Sequence, residues 1–211
     1  MKIAFINGSP KIKDSDSGSA LKMLKKLFDD SHTILQYNFI KTHVESKDIE
    51  EISKCEAIVI AFPLYVDGIP SHLLSCLHDM ELAFKTIEVS AIKVYAIANC
   101  GFYEGHQNKV ALEILENWCE KCGTTWGQGI GIGAGGMLPM LANISKDKGP
   151  SKNVCIALRR LSNNIVTNSS GENIFISPNF PRFLYKLVGE AGWRQQIKAN
   201  GLKRKDLFLK R

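Results

Sequence analysis

Apolar residues along this chain fall into two alternating rhythms, short solid runs and longer stretches with a helical period. Lys2–Asn7 is a β-rich run ending in Gly8-Ser9-Pro10, after which Ala20, Leu21, Leu24, Leu27 and Phe28 share one helical face. Thr33–Phe39 reads as a second strand, residues 48–54 as a short helix, and Ala57–Phe62 as a third strand of almost pure Ala, Ile, Val and Phe, the mark of a strand covered on both faces. Pro70–Phe84 carries Leu73, Leu74, Leu77, Met80 and Phe84 at helical spacing, with Pro70 suited to the first turn. A fourth strand spans Ile92–Ala98. The next helix puts Val110, Ala111, Ile114, Leu115, Trp118 and Cys119 on one face and stops at Gly123, before a fifth strand over Thr124–Ile132. Further helices follow over Ser151–Val166 and, with weaker periodicity broken by Gly189 and Gly192, over residues 181–199.

Strands alternating with helices predict an α/β protein with one parallel sheet, right-handed crossovers, helices on both faces and five strands in the order 2-1-3-4-5. The polar stretch Asn168–Asn173 reads as a loop or linker. It divides the chain into a sheet domain over 1–168 and a C-terminal helical extension over 169–211, which is part of the same domain or a dimer contact.

In such a sheet, ligands bind beyond the carboxyl ends of the strands, where neighbouring connections diverge. That rule selects three loops. The first, from Asn7-Gly8-Ser9-Pro10 to Ser17-Gly18-Ser19, is rich in hydroxyls, so Ser9, Ser17, Ser19 and backbone N–H groups can converge on a phosphate at a helix N-terminus. The plainer alternative is a serine cap on a flexible loop. The second loop, Phe62 to Pro70, leaves a buried strand yet offers Pro63, Leu64, Tyr65 and Val66 as a wall for a flat ring; ordinary loop packing would also explain it. The third, Asn99-Cys100-Gly101-Phe102-Tyr103-Glu104, gives close backbone approach at Gly101 and a donor and an acceptor at Asn99. Glu104 has no partner in the sequence and reads as a solvated carboxylate. Gly131-Ile132-Gly133-Ala134-Gly135-Gly136 matches a dinucleotide fingerprint in letters but follows the fifth strand, with no clear helix start in Met137-Leu138-Pro139-Met140, and reads as a flexible rim loop.

Taken together, the three loops resemble the flavodoxin-like NAD(P)H-dependent FMN reductase family, over about residues 1–136. The resemblance implies a flavodoxin-like three-layer sandwich. It puts phosphate contacts on Ser9, Ser17, Gly18, Ser19 and Ala20, and ring contacts on Pro63, Leu64, Tyr65, Val66, Asn99, Cys100, Gly101 and Phe102. It implies an oxidoreductase with bound FMN and NADH or NADPH as co-substrate. Electrons would pass to a small oxidised acceptor (a quinone, nitro or azo compound, or flavin), with no catalytic side chain and no metal. Backbone N–H groups of the second and third loops would then stabilise negative charge on the reduced ring. A homodimer completing the pocket is implied too. The first loop departs from the pattern in being long and polar and in lacking the arginine common after Gly-Ser. Two alternatives stay open: a flavodoxin-type electron carrier, and a flavin-free binding or regulatory module of the same fold.

Charge and cysteines change this picture little. The net charge is +6, but Lys198 to Arg211 supplies +5 of it through Lys198, Lys203, Arg204, Lys205, Lys210 and Arg211 against Asp206. The remainder is near neutral, so the tail reads as a solvated extension, with neither nucleic acid nor membrane as a partner. Early apolar runs too short for a signal segment or a bilayer span predict a soluble, cytoplasmic protein. The six cysteines lie in apolar periodic segments and read as free buried thiols, Cys119-x-x-Cys122 included.

Overall fold

A computed structural model describes residues 1–142, 148–203 and 205–206. Six strands, β1 (Lys2–Asn7), β2 (Thr33–Asn38), β3 (Ala57–Pro63), β4 (Lys93–Asn99), β5 (Thr125–Ile132) and β6 (Ile174–Ile176), form one sheet in the order β2-β1-β3-β4-β5-β6. All pairings are parallel. The helices are α1 (Asp16–Lys25), α2 (Ser46–Ile52), α3 (Ser71–Phe84), α4 (Lys109–Cys122), α5 (Leu138–Leu141), α6 (Lys152–Val166) and α7 (Arg182–Ala199).

The period of two along β3 explains the three layers. Ile58, Ile60 and Phe62 face a core shared with α2, α3 and α4, whereas Ala57, Val59 and Ala61 face a second core shared with α1, α5 and α6. Both faces of β3 are dry, so it is apolar throughout. On β5 the partner register slips at Val94/Tyr95, leaving Gly127 as an extra residue. A Cβ there would stand 2.5 Å from the Tyr95 ring, so the bulge and the glycine together make room for the largest fully buried side chain.

The structure corrects the sequence reading at four places. The sheet has six strands, not five: Ile174-Phe175-Ile176 pairs with Ile130, Gly131 and Ile132. Of the loop and linker readings, the stretch before it takes the loop, pinned to β5: Asn173 Oδ1 accepts from the Gly129 N–H at 2.7 Å and the Gly171 N–H donates to the Gly127 carbonyl at 2.9 Å. The glycine-rich rim is fixed too: Ala134 N–H donates to the Phe102 carbonyl, Gly135 N–H to that of Cys100, and Leu138-Pro139-Met140-Leu141 is helical. Finally, α1 ends at Lys25, leaving Leu27 exposed, and Val110 and Ile114 lie on the exposed side of α4.

Among the described residues no helix is long and apolar enough to cross a membrane. Arg204, Lys210 and Arg211 of the basic tail lie outside the described residues.

Candidate functional site

At the carboxyl ends of β1, β3 and β4, a cavity of about 260 Å³ is lined by Ser9, Lys11, Asp16, Ser17, Pro63, Leu64, Tyr65, Asn99, Cys100, Gly101 and Gly136. All three predicted loops meet there. What ties them is a buried hydrogen bond across 82 positions of sequence, from Ser17 Oγ to Asn99 Oδ1 at 2.8 Å, supported by the Leu64 N–H on the Asn99 carbonyl at 2.8 Å.

One end of the cavity is the start of α1. Ser15 caps that helix, its Oγ accepting from the Gly18 N–H at 3.0 Å, while the first-turn N–H groups before it have no acceptor within the helix. Ser9 is buried, and its Oγ accepts from the Lys11 N–H at 3.3 Å. The second loop lines the cavity with Pro63, Leu64 and Tyr65. A Cβ at Gly101 or Gly136 would meet nothing within 4 Å, so both leave open backbone faces.

The second loop turns through Val66 (φ 48°) and Asp67 (φ 59°), with Tyr65 and Gly68 exchanging N–H···O bonds of 3.1 Å. A β-branched residue at positive φ is strained. Val66 projects wholly into solvent at the tip of this turn.

Eight of the thirteen residues assigned by resemblance line the cavity: Ser9, Ser17, Pro63, Leu64, Tyr65, Asn99, Cys100 and Gly101. The other five stand elsewhere. Gly18 lines a separate cavity of about 230 Å³ with Asn7, Asp14, Ser15 and Asn38. Ser19 is buried, Ala20 is part of the core, and Val66 and Phe102 are exposed. Reading the loops for hydroxyls and small residues passed over Lys11, Asp16 and Gly136, although Asp16 immediately precedes Ser17.

Cys100 is no nucleophile. It is buried, its thiol is pushed up chiefly by that burial, and Sγ accepts from Asn108 Nδ2 at 3.3 Å. Cys119 and Cys122 are buried as well, with both thiols pushed up to about 12, the opposite of a redox pair. Among the described residues no group of three or more His, Cys, Asp or Glu is placed to hold a metal ion.

A second layer comes from the C-terminal segment. Tyr185 on α7 donates to the Gly101 carbonyl at 2.5 Å, Tyr103 donates to the Phe180 carbonyl, and the rings of Tyr103, Phe180 and Tyr185 cluster, Tyr103 and Phe180 edge to face and the other two pairs tilted. Arg182 pairs with Glu104 at 2.9 Å, the partner that the sequence did not show.

No family model matches the chain, and no curated protein matches it in sequence. Solved structures do match. An FMN-dependent NADH-azoreductase from Bacillus anthracis superposes with a TM-score of 0.54 at 17% identity, over 77% of this chain and 100% of its own. An NAD(P)H:quinone oxidoreductase from Methanothermobacter marburgensis gives 0.58 at 13%, over 78% and 96%. A short-chain flavodoxin associated with a bacterial microcompartment gives 0.54 at 11%, over 81% and 100%. The fold is flavodoxin-like. Several of these neighbours are reductases, which matches the resemblance carried by the three loops.

Pro63, Leu64 and Tyr65 could pack against the flat ring of FMN, and Gly101 and Gly136, which line the same cavity, add no side-chain bulk to it. The start of α1 offers N–H groups and the Ser9 hydroxyl, but the Ser17 hydroxyl proton is already given to Asn99 and the Asp16 carboxyl group lies beside them.

Proposed function

We propose that this protein is an FMN-dependent NAD(P)H oxidoreductase that passes electrons to a small oxidised acceptor such as a quinone, a nitro or azo compound, or a flavin. The observation that carries the reading is the cavity into which all three loops converge, lined by Pro63, Leu64 and Tyr65 of the second loop, by Asn99, Cys100 and Gly101 of the third, and by residues at the start of α1. FMN seated there would supply the hydride chemistry, accepting from NADH or NADPH and giving to the acceptor.

The chain's own part is binding and orientation. Pro63, Leu64 and Tyr65 hold one edge of the ring and exclude water, while the Ser17–Asn99 bond fixes the spacing between the ring wall and the helix start. The N–H groups of Leu64, Tyr65, Gly68 and Cys100 are spent on carbonyls within the protein. Stabilising negative charge on the ring falls in this proposal to N–H groups outside that set, at Val66 and Asp67 on the second loop and Gly101 on the third. No side chain is asked to move a proton. The proposal includes a homodimer; elution at monomer size in gel filtration would remove that part.

The test is the visible spectrum of the purified protein after FMN is added and excess removed, repeated anaerobically with NADH or NADPH. Retained flavin bands that bleach on adding a nicotinamide support the reductase and name its donor. Retained bands that do not bleach point instead to an electron carrier, and a colourless protein removes the flavin site.

A further inference from the structure

The two charged side chains lining the cavity among the described residues, Lys11 and Asp16, stand at the same end of it, with Ser9 and Ser17 at the start of α1. A helix N-terminus attracts an anion through unmatched N–H groups and the positive end of the helix dipole, and protein anion seats usually add positive side chains to that field. Here the first residue of the helix is itself a carboxylate. Asp16 is partly withdrawn from water and is raised above the ordinary carboxylate range, chiefly by burial, with Lys11 acting in the opposite direction. The pair therefore sets a carboxyl group against the one cation of the seat, and a terminal phosphate entering it would bring negative charge toward a poorly solvated carboxyl group. The hydroxyls are no substitute for a cation. Ser17 Oγ gives its proton to Asn99 and Ser15 Oγ gives its proton to Asn7 Oδ1, so of these three hydroxyls Ser9, whose Oγ accepts from the Lys11 N–H, keeps a proton to donate, one neutral hydrogen bond set against a neighbouring carboxyl group.

We propose that Asp16 is a specificity-determining residue that sets this seat against a phosphate dianion, so that FMN and its uncharged counterpart riboflavin bind alike. The isoalloxazine ring then supplies the affinity, and the phosphate adds little. Lys11 is the counterweight that keeps FMN from being rejected outright. The inference rests on the flavin reading given above.

Dissociation constants for FMN and for riboflavin, measured by quenching of flavin fluorescence on the wild-type protein, Asp16→Asn and Lys11→Met, test it. In the wild type the two constants should agree within about threefold. Asp16→Asn should tighten FMN by about tenfold or more and leave riboflavin within about twofold. Lys11→Met should weaken FMN by about tenfold and again spare riboflavin. Added salt should weaken FMN binding to Asp16→Asn more than to the wild type, because only the variant presents a net positive seat. A wild type that prefers FMN by about a hundredfold or more, or an Asp16→Asn variant that shifts both flavins equally, would overturn the role of Asp16 while leaving the flavin site standing. Binding of neither flavin to any of the three proteins would overturn the flavin site, and this inference with it.

Discussion

Strand β3 and helix α7 contain similar kinds of residue and meet opposite fates. Every side chain from Ala57 to Phe62 is buried, whereas α7 carries Phe183, Leu184, Leu187, Val188 and Trp193 and, against the rest of the described residues, buries none of them. The difference lies in what surrounds each element. β3 is flanked by two strands and covered by helices on both faces, while α7 is attached at its N-terminal end by Tyr185 on Gly101, Arg182 on Glu104 and the aromatic cluster around Tyr103. Apolar content marks a segment as able to bury, and neighbouring elements decide whether it does.

Substitutions sharpen this contrast, beginning at the joint between the two regions. A Cβ at Gly105 would press into the carbonyl oxygens of Ile176 and Gly131, so Gly105→Ala should cost about 3 kcal/mol or more, or detach β6, visible as a lower Tm with loss of hydrogen-exchange protection over residues 174–176. Within the body, Leu73 is fully buried on α3, and Leu73→Ala should lower stability to urea by about 3 kcal/mol. Tyr95 donates to the carbonyls of Asn164 and Ser169, each at 2.9 Å, and Tyr95→Phe should cost about 1 to 2 kcal/mol in the same assay. On α7, Trp193→Ala should change stability by no more than about 0.5 kcal/mol; a loss as large as that of Leu73→Ala would show that α7 is buried in the folded protein in solution.

The same contrast separates what was legible in the sequence from what was not. Strands β1 to β5 and their main helices could be read because long periodic segments bury large apolar faces, and that burial sets their register. β6 could not. Three residues, Ile174-Phe175-Ile176, are too few to show a period, and the preceding Asn168–Asn173 has the composition of a linker although Asn173 and Gly171 stitch it to the edge of β5. On α4, Val110 and Ile114 share the helical period of the buried residues yet are exposed, since period alone does not say where a helix face leaves its neighbour.

At the site, the three loops could be placed from topology, because strand order dictates which ends lie side by side. Which side chains line the cavity could be placed only in part. A turn of helix sends Gly18 to the far side of α1 and Ala20 into the core while Asp16 and Ser17 line the cavity, and consecutive letters do not carry that rotation. Likewise the left-handed turn at Val66 and Asp67 directs Val66 into solvent, where its apolar character gave no warning.

The buried thiols have a consequence for the lifetime of the molecule. Five of the six cysteines are buried, and burial holds Cys55 and Cys76 up at about 11 and Cys119 and Cys122 at about 12. Peroxide attacks the thiolate, so these sulfurs are shielded twice, by lack of access and by lack of the reactive form. Peroxide arriving from solution meets the surface of the molecule first. Its oxidative ageing should therefore begin at the partly exposed Cys155 on α6, on the far side of the sheet from α3 and α4, with the sulfurs of the interior surviving until the fold itself opens.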